Sequence, residues 1–334
     1  MYKIANHSRG LRLIDFYNEN NFHVILSNYG ASIYEIEAPD KNRKMESVTL
    51  TPQYAFYYRS PKYAGLSVGR VLGRIEKGEF TIGNRKYNIT PNDKGNLNHS
   101  GDSTFAYKFF DFKIEEQKEY TKVIFSLNIK DMEDGFPGDL ELRANYFLYH
   151  NQNRIKIEYQ AISSKDTLLN ITNHTYFNLS GNLKRDILDH ELSINKGYIA
   201  KMDDDLVIKQ IEVVSKEFDF RKPKEIGKDI YSDAVLFPAK GYDHLFTGSK
   251  PLLLTLYDKE SGRFLEISSN YKDVTIYTNN ITDNTIYVGN VIDSPYLAIA
   301  IEPNRMSKIL SPDGIVQKAR TLYNYCIDYL FDVR

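Results

Sequence analysis

The feature that most restricts how this chain can fold is a period-two alternation of apolar and polar residues. In Arg154–Ile162, Ile155, Ile157, Tyr159 and Ala161 fall on one side, with Lys156, Glu158 and Gln160 on the other. Successive side chains of a strand point to opposite faces, so this spacing buries one sheet face and wets the other. Val123–Ile129, Leu140–Leu148, Leu252–Tyr257, Phe264–Ile267, Val274–Tyr277 and Leu297–Ile301 read as further strands. Turn-forming residues divide them at Gly83–Asn84, Asp134–Asp139, Ser261–Gly262 and Ser311–Gly314. No apolar stripe at helical spacing exceeds two or three turns. Ser215–Lys228 carries a Pro and a Gly and is predicted to hold one turn at most. Many short strands without linker, repeat or low-complexity segments predict an all-β fold, a large antiparallel β-sandwich with few short helices. Residues 1–334 read as a single domain.

Charge and cysteine content exclude several functional classes. Lys plus Arg number 43 against 44 Asp plus Glu, so no overall field draws the chain to nucleic acid or an anionic membrane. No segment approaches the roughly 20 apolar residues that span a bilayer, and Met1–Arg9 lacks a signal-peptide core. The single cysteine, Cys326, forms no internal disulfide and is predicted to be a buried, inert thiol. These features lead us to expect a cytoplasmic protein. There are 26 Tyr and 18 Phe but no Trp, so any aromatic platform for a ligand must be Tyr or Phe.

Seven histidines are present. His7, His23, His150 and His190 lie in surroundings that predict structural or exposed roles. His99, His174 and His244 have more distinctive neighbours, in Asn96–Gly101, Asn173–Gly181 and Gly241–Phe246. Glu302 follows the apolar run Leu297–Ile301, where a carboxylate is either paired or functional. His99, His174, Asp243 and Glu302 could in principle form a two-histidine, two-carboxylate metal site, but no short ligand spacing supports one, and none is assigned. The sequence has no G-x-S-x-G elbow, no P-loop and no dinucleotide fingerprint.

Four separated segments together resemble the aldose 1-epimerase family. Gly69–Phe80 is similar to its GR-x3-RI-x2-G stretch and Leu97–Gly101 to its LHGG segment. Asn173–Leu179 reads NHTYFNL, the family's most distinctive motif, and Ile299–Pro303 is similar to the strand bearing its catalytic glutamate. Asp134–Gly138 and Gly241–His244 match in type, and all six segments keep the family's order. Asn98, Ser100, Gly73 and Asn304 depart from the pattern.

The resemblance implies a mutarotase that interconverts the α and β anomers of a free aldose, galactose or glucose, without a cofactor. Glu302 would be the base at the C1 hydroxyl and His174 the acid at the ring oxygen O5. The expected protonation is an ionised carboxylate beside a protonated imidazole. His99 would bind O5 or a neighbouring hydroxyl, Asp243 would accept from sugar hydroxyls, and Arg74 would donate to them. Arg70 is a second candidate for donation, equally able to form a structural ion pair. The partner is a small-molecule sugar; the oligomeric state is open. A hexose-6-phosphate 1-epimerase would add cations, with Lys62, Arg70, Lys108 and Arg305 near the motifs. A sugar-binding module would not require both Glu302 and His174. A glycoside hydrolase could use Asp243 and Glu302 but would leave the histidine without a role.

Overall fold

A computed structural model describes residues 1–58, 60, 62–310 and 314–334. Its largest element is a nine-stranded antiparallel sheet. From one edge it runs Asp111–Glu116, Tyr120–Ile129, Leu140–Tyr149, Arg154–Ser163 and Tyr323–Val333. It continues through Arg263–Ser269, Leu252–Tyr257, Glu191–Ile194 and Lys224–Glu225. A six-stranded sheet has the order Tyr176–Phe177, Ile299–Asn304, Asp273–Tyr277, Asp243–Thr247, Tyr198–Met202, Ile208–Val213. A five-stranded sheet is formed by the first 47 residues, from Tyr2–Asn6 to Met45–Ser47. Two four-residue α-helices, Tyr54–Tyr57 and Asp233–Leu236, accompany short 3-10 turns among the described residues.

The predicted alternation is what assembles these sheets. Ile155, Ile157, Tyr159 and Ala161 are buried, and they meet Ile14 and Val24 of the five-stranded sheet and Val274 and Ile301 of the six-stranded sheet in one core. Each fully buried aliphatic or aromatic side chain contributes roughly 1.5–3 kcal/mol. Tyrosine adds directed bonds to this core. Tyr159 Oη lies 2.8 Å from Ser67 Oγ, and Tyr323 Oη accepts from Ile171 N at 3.0 Å. Tyr271 Oη donates to Ile171 O. These hydroxyls tie the nine-stranded sheet to the segment that leads into His174.

Three expectations need correction. The Leu297–Ile301 strand is displaced to Ile299–Asn304, so Glu302 lies within a fully buried strand rather than at its end. Ser215–Lys228 holds two 3-10 turns, Lys216–Phe218 and Ile226–Lys228, and the short strand Lys224–Glu225. Cys326 is only partly buried, because Tyr323, Ile327, Tyr329 and Phe331 point inward and turn it to the other face. His190, expected to be structural or exposed, is structural: it is fully buried, with Nε2 accepting from Leu179 N at 2.9 Å. Of the predicted turn Ser311–Gly314, residues 311–313 lie outside the described residues.

His23 gives the five-stranded sheet a pH dependence. Its Nε2 lies 2.7 Å from Asp15 Oδ1 and its Nδ1 2.9 Å from Glu37 Oε2, while Tyr17 stacks on the ring at 4.0 Å. With a carboxylate at each nitrogen, the imidazolium donates both ways across three strands. Burial lowers its pKa, but the bonds to Glu37 and Asp15 outweigh burial and raise it above 6.5. A raised folded-state value means this stabilisation is complete below 6.5 and is lost as pH rises through the folded pKa. Melting curves across pH should show wild type above His23→Gln at acid-to-neutral pH, with the gap closing toward alkaline pH. A gap that is constant with pH would contradict the charged bridge.

Candidate active site

The NHTYFNL segment is fastened on both sides. Thr172 and Asn173 pair with Val68 and Ser67, His174 N donates to Leu66 O at 2.8 Å, and Asn173 Nδ2 donates to Gly65 O at 2.9 Å. Gly65 has φ +74°, and a Cβ there would stand 1.9 Å from Ile33 O, so only glycine fits this crossing. Thr172 Oγ1 donates to Pro303 O at 2.7 Å, and Tyr176 pairs with Ala300. The motif is thereby docked onto the strand that carries Glu302.

Alternation then brings the chemistry to one face. Ile299 and Ile301 point into the core, so Ala300 and Glu302 point away from it. In register, Thr275 stands opposite Glu302, while Tyr277 stands between Ala300 and Asp243. Residues two apart share a face, so Glu302, Thr275, Tyr277 and Asp243 form the floor of a cavity of about 530 Å³. His99, His174, Arg74, Tyr63 and Tyr176 also line it.

His174 Nε2 is 3.4 Å from Glu302 Oε1, with both side chains 5% exposed or less. Burial lowers the His174 pKa to about 4. Burial, reinforced by the charge of Asp243, pushes Glu302 well above the carboxylate range, with Arg74 opposing. Both shifts favour a neutral carboxyl beside a neutral imidazole over the expected imidazolium–carboxylate form. The two forms are tautomers with one proton between them, and desolvation favours the neutral one. His174 Nδ1 is buried without a hydrogen-bond partner.

His99 meets His174 edge to face at 5.5 Å between centroids, and Tyr63 packs against both rings. Its Nδ1 accepts from Gly73 N at 3.2 Å, which leaves Nε2 as the donor of a neutral ring. Burial, aided by His174 and Arg74, holds its pKa well below 6.5. Arg74 Nε donates to Asp93 Oδ2 at 2.8 Å, and its Nη1 lies 3.8 Å from Asp243 Oδ2. Burial raises the Asp243 pKa while Arg74 opposes it.

Arg70 is not part of this cavity. It is fully buried, its Nε donating to Asp134 Oδ2 at 2.7 Å and its other nitrogens to Pro137 O, Gly138 O and Thr167 Oγ1. With its donors engaged inside the protein, it braces the Asp134–Gly138 turn, and its expected sugar contact is withdrawn. His244 is likewise structural, packed on Phe218 at 4.6 Å with Nδ1 accepting from Asp243 N. Among the described residues no three metal-ligating side chains converge.

The four departures have separate fates. Ser100 Oγ accepts from Val71 N at 2.7 Å, locking a residue at φ +67°. Asn304 accepts from Met306 N and donates to Thr275 Oγ1 and Glu302 O, which steadies the strand. Only Asn98 and Gly73 line the cavity. Sequence reasoning missed Tyr63, Tyr277 and Asp93. Tyr277 was legible as a strand residue sharing a face with Thr275. Asp93 stands in a loop with no local signal for its bond to Arg74.

Comparison with known proteins agrees with this architecture. The chain is 31% identical over 269 residues to a galactose mutarotase from Rattus norvegicus, covering 78% of this chain and 75% of that protein. It is 31% identical over 271 residues to an aldose 1-epimerase from Streptococcus thermophilus, covering 78% and 76%. The crystal structure of a galactose 1-epimerase from Lactobacillus acidophilus superposes with a TM-score of 0.86 at 26% identity, covering 100% of this chain and 99% of the other. The sequence profile of the aldose 1-epimerase family matches residues 12–320, and the chain belongs to that family.

Proposed function

We propose that this protein is a mutarotase for a free aldose, with galactose and glucose the leading substrates and Glu302 and His174 the proton-transfer pair. The interconversion of aldose anomers follows the family to which the chain belongs. The observation that carries the residue assignment is the 3.4 Å contact between Nε2 and Oε1 on the floor of a sugar-sized cavity. Pockets for small ligands run from about 300 to 1,000 Å³.

In the tautomer with the proton on His174, Glu302 removes the C1 hydroxyl proton while His174 protonates O5. The C1–O5 bond breaks and the open-chain aldehyde forms. At that point Glu302 is a neutral carboxyl and His174 a neutral imidazole, the state that burial favours. Rotation about C1–C2 and reversal of the two transfers give the other anomer, so the pair ends as it began. His99 Nε2–H and Arg74 would donate to sugar oxygens, and Asp243 would accept from sugar hydroxyls. Tyr277 and Tyr63, which line the cavity, would supply aromatic surface to the apolar side of the pyranose.

The four cations expected near the motifs are engaged elsewhere or paired, while Lys94 and Lys240 also line the cavity. Lys62 lines the cavity but is paired with Asp293 at 3.0 Å. Arg70 is buried elsewhere, Lys108 pairs with Glu133, and Arg305 Nη2 turns to Val316 O. A partly exposed lone thiol at Cys326 suits the reducing cytoplasm, where we place the protein.

Polarimetry on freshly dissolved α-D-galactose and α-D-glucose tests the reading. The protein should speed the decay of optical rotation for at least one of them. No acceleration with either sugar, but acceleration with a sugar 6-phosphate, would shift the assignment to the phosphorylated substrate.

A further inference from the structure

One wall of the cavity is held in an unusual way. Ile281, Thr282 and Asp283 line it just beyond the Asp273–Tyr277 strand. Side chains fix the backbone of this segment. Ile281 N donates to Tyr277 Oη at 3.1 Å, Ile281 O accepts from Lys62 Nζ at 2.8 Å, and Asp283 N donates to Asp293 Oδ2 at 2.8 Å.

All three anchors meet at a buried ion pair or beside it. The Lys62 and Asp293 side chains are 7% and 0% exposed and lie 3.0 Å apart. Lys62 Nζ also donates to Asn279 Oδ1 at 2.6 Å, so its three protons have three acceptors. Asp293 Oδ1 accepts from Asn279 Nδ2 at 2.9 Å and from Tyr287 Oη at 3.3 Å. A buried ion pair is a weak source of net stability, because desolvating two charges offsets most of their attraction. What this pair does supply is direction, since each group has one arrangement that satisfies its partners.

We propose that Asp293, acting through Lys62 and Asn279, is a positioning residue that presents the Ile281–Asp283 wall to the sugar. This rests on the mutarotase reading for its ligand, but the clamp itself can be tested without activity. Glu302 and His174 are anchored through other contacts, to Pro303, Leu66 and Ala300. Loosening the wall therefore weakens sugar binding and spares the proton transfers.

Asp293→Asn keeps the shape but replaces one acceptor oxygen with a donor amide facing donors. It should raise KM by about tenfold and leave kcat within about threefold, the pattern of lost uniform binding. Hydrogen exchange should quicken at the Ile281 and Asp283 amides and stay unchanged at Ile276 and Ile301. The double variant Lys62→Met with Asp293→Leu removes both charges together and should fold well. It should still show the raised KM, because Ile281 O and Asp283 N remain without partners. An unchanged KM in folded Asp293→Asn, a kcat loss equal to the KM effect, or a wild-type KM in the double variant would each overturn the proposal. If the single variant does not fold, the double variant decides. A wild-type protein inactive on every aldose would count against the mutarotase reading, and the exchange measurement would still judge the clamp.

Discussion

Glu302→Gln should reduce kcat for mutarotation by about 10² to 10⁴-fold, the usual contribution of one positioned acid or base. The fold should survive, because burial already holds Glu302 toward its neutral form and Gln is its neutral isostere. The strand carrying it is secured by its register with Asp273–Tyr277 and Tyr176–Phe177, which the substitution leaves alone. Gln can donate and accept hydrogen bonds, so sugar binding should persist with KM within a few fold. Polarimetry with wild type and variant in parallel, together with a melting curve for each, makes the measurement. A folded Glu302→Gln protein turning over at the wild-type rate would remove Glu302 from the mechanism.

His174→Asn should bring a loss of similar size, about 10² to 10⁴-fold, and a changed pH profile. In wild type the pair must hold one proton. Below about 4 a second proton enters at His174 and no base remains, so kcat/KM should fall on the acid side there. On the alkaline side the pair loses its last proton, at a value well above the ordinary carboxylate 4.5, and the acid is gone. The two limbs belong to the pair as a whole. Asn at position 174 carries no titrating proton, so the acid limb near 4 should vanish from the residual activity. Glu302→Gln combined with His174→Asn should be little worse than the poorer single variant, since either change alone already breaks the relay. Additive losses in the double variant would mean that the two groups act independently.

Much of the fold was readable from local pattern. Ile155, Ile157, Tyr159 and Ala161 were predicted to share a face and do, because strand alternation is a property of consecutive residues. His174 stood out through its seven-residue motif, and Glu302 through the apolar run before it. The arginines show the limit of this reading. Arg70 and Arg74 lie four apart in one segment and look equivalent. One is sealed against Asp134 and the other reaches the cavity beside Asp93 and Asp243. Asp134 is 64 residues from Arg70 and Asp93 is 19 from Arg74, so no local pattern distinguishes the two arginines.

What the sequence by itself determined is the all-β class, the positions of six strands of the two larger sheets, and the residue types available for proton transfer. Only the tertiary structure decided that Glu302 lies inside a strand, that Tyr63 and Tyr277 line the cavity, and that burial pushes Glu302 and His174 toward their neutral forms. It also decided that Lys62 is occupied by Asp293. The physical reason is that alternation follows from the geometry of each strand alone, whereas convergence and desolvation arise only when sheets distant in sequence close over the same side chains.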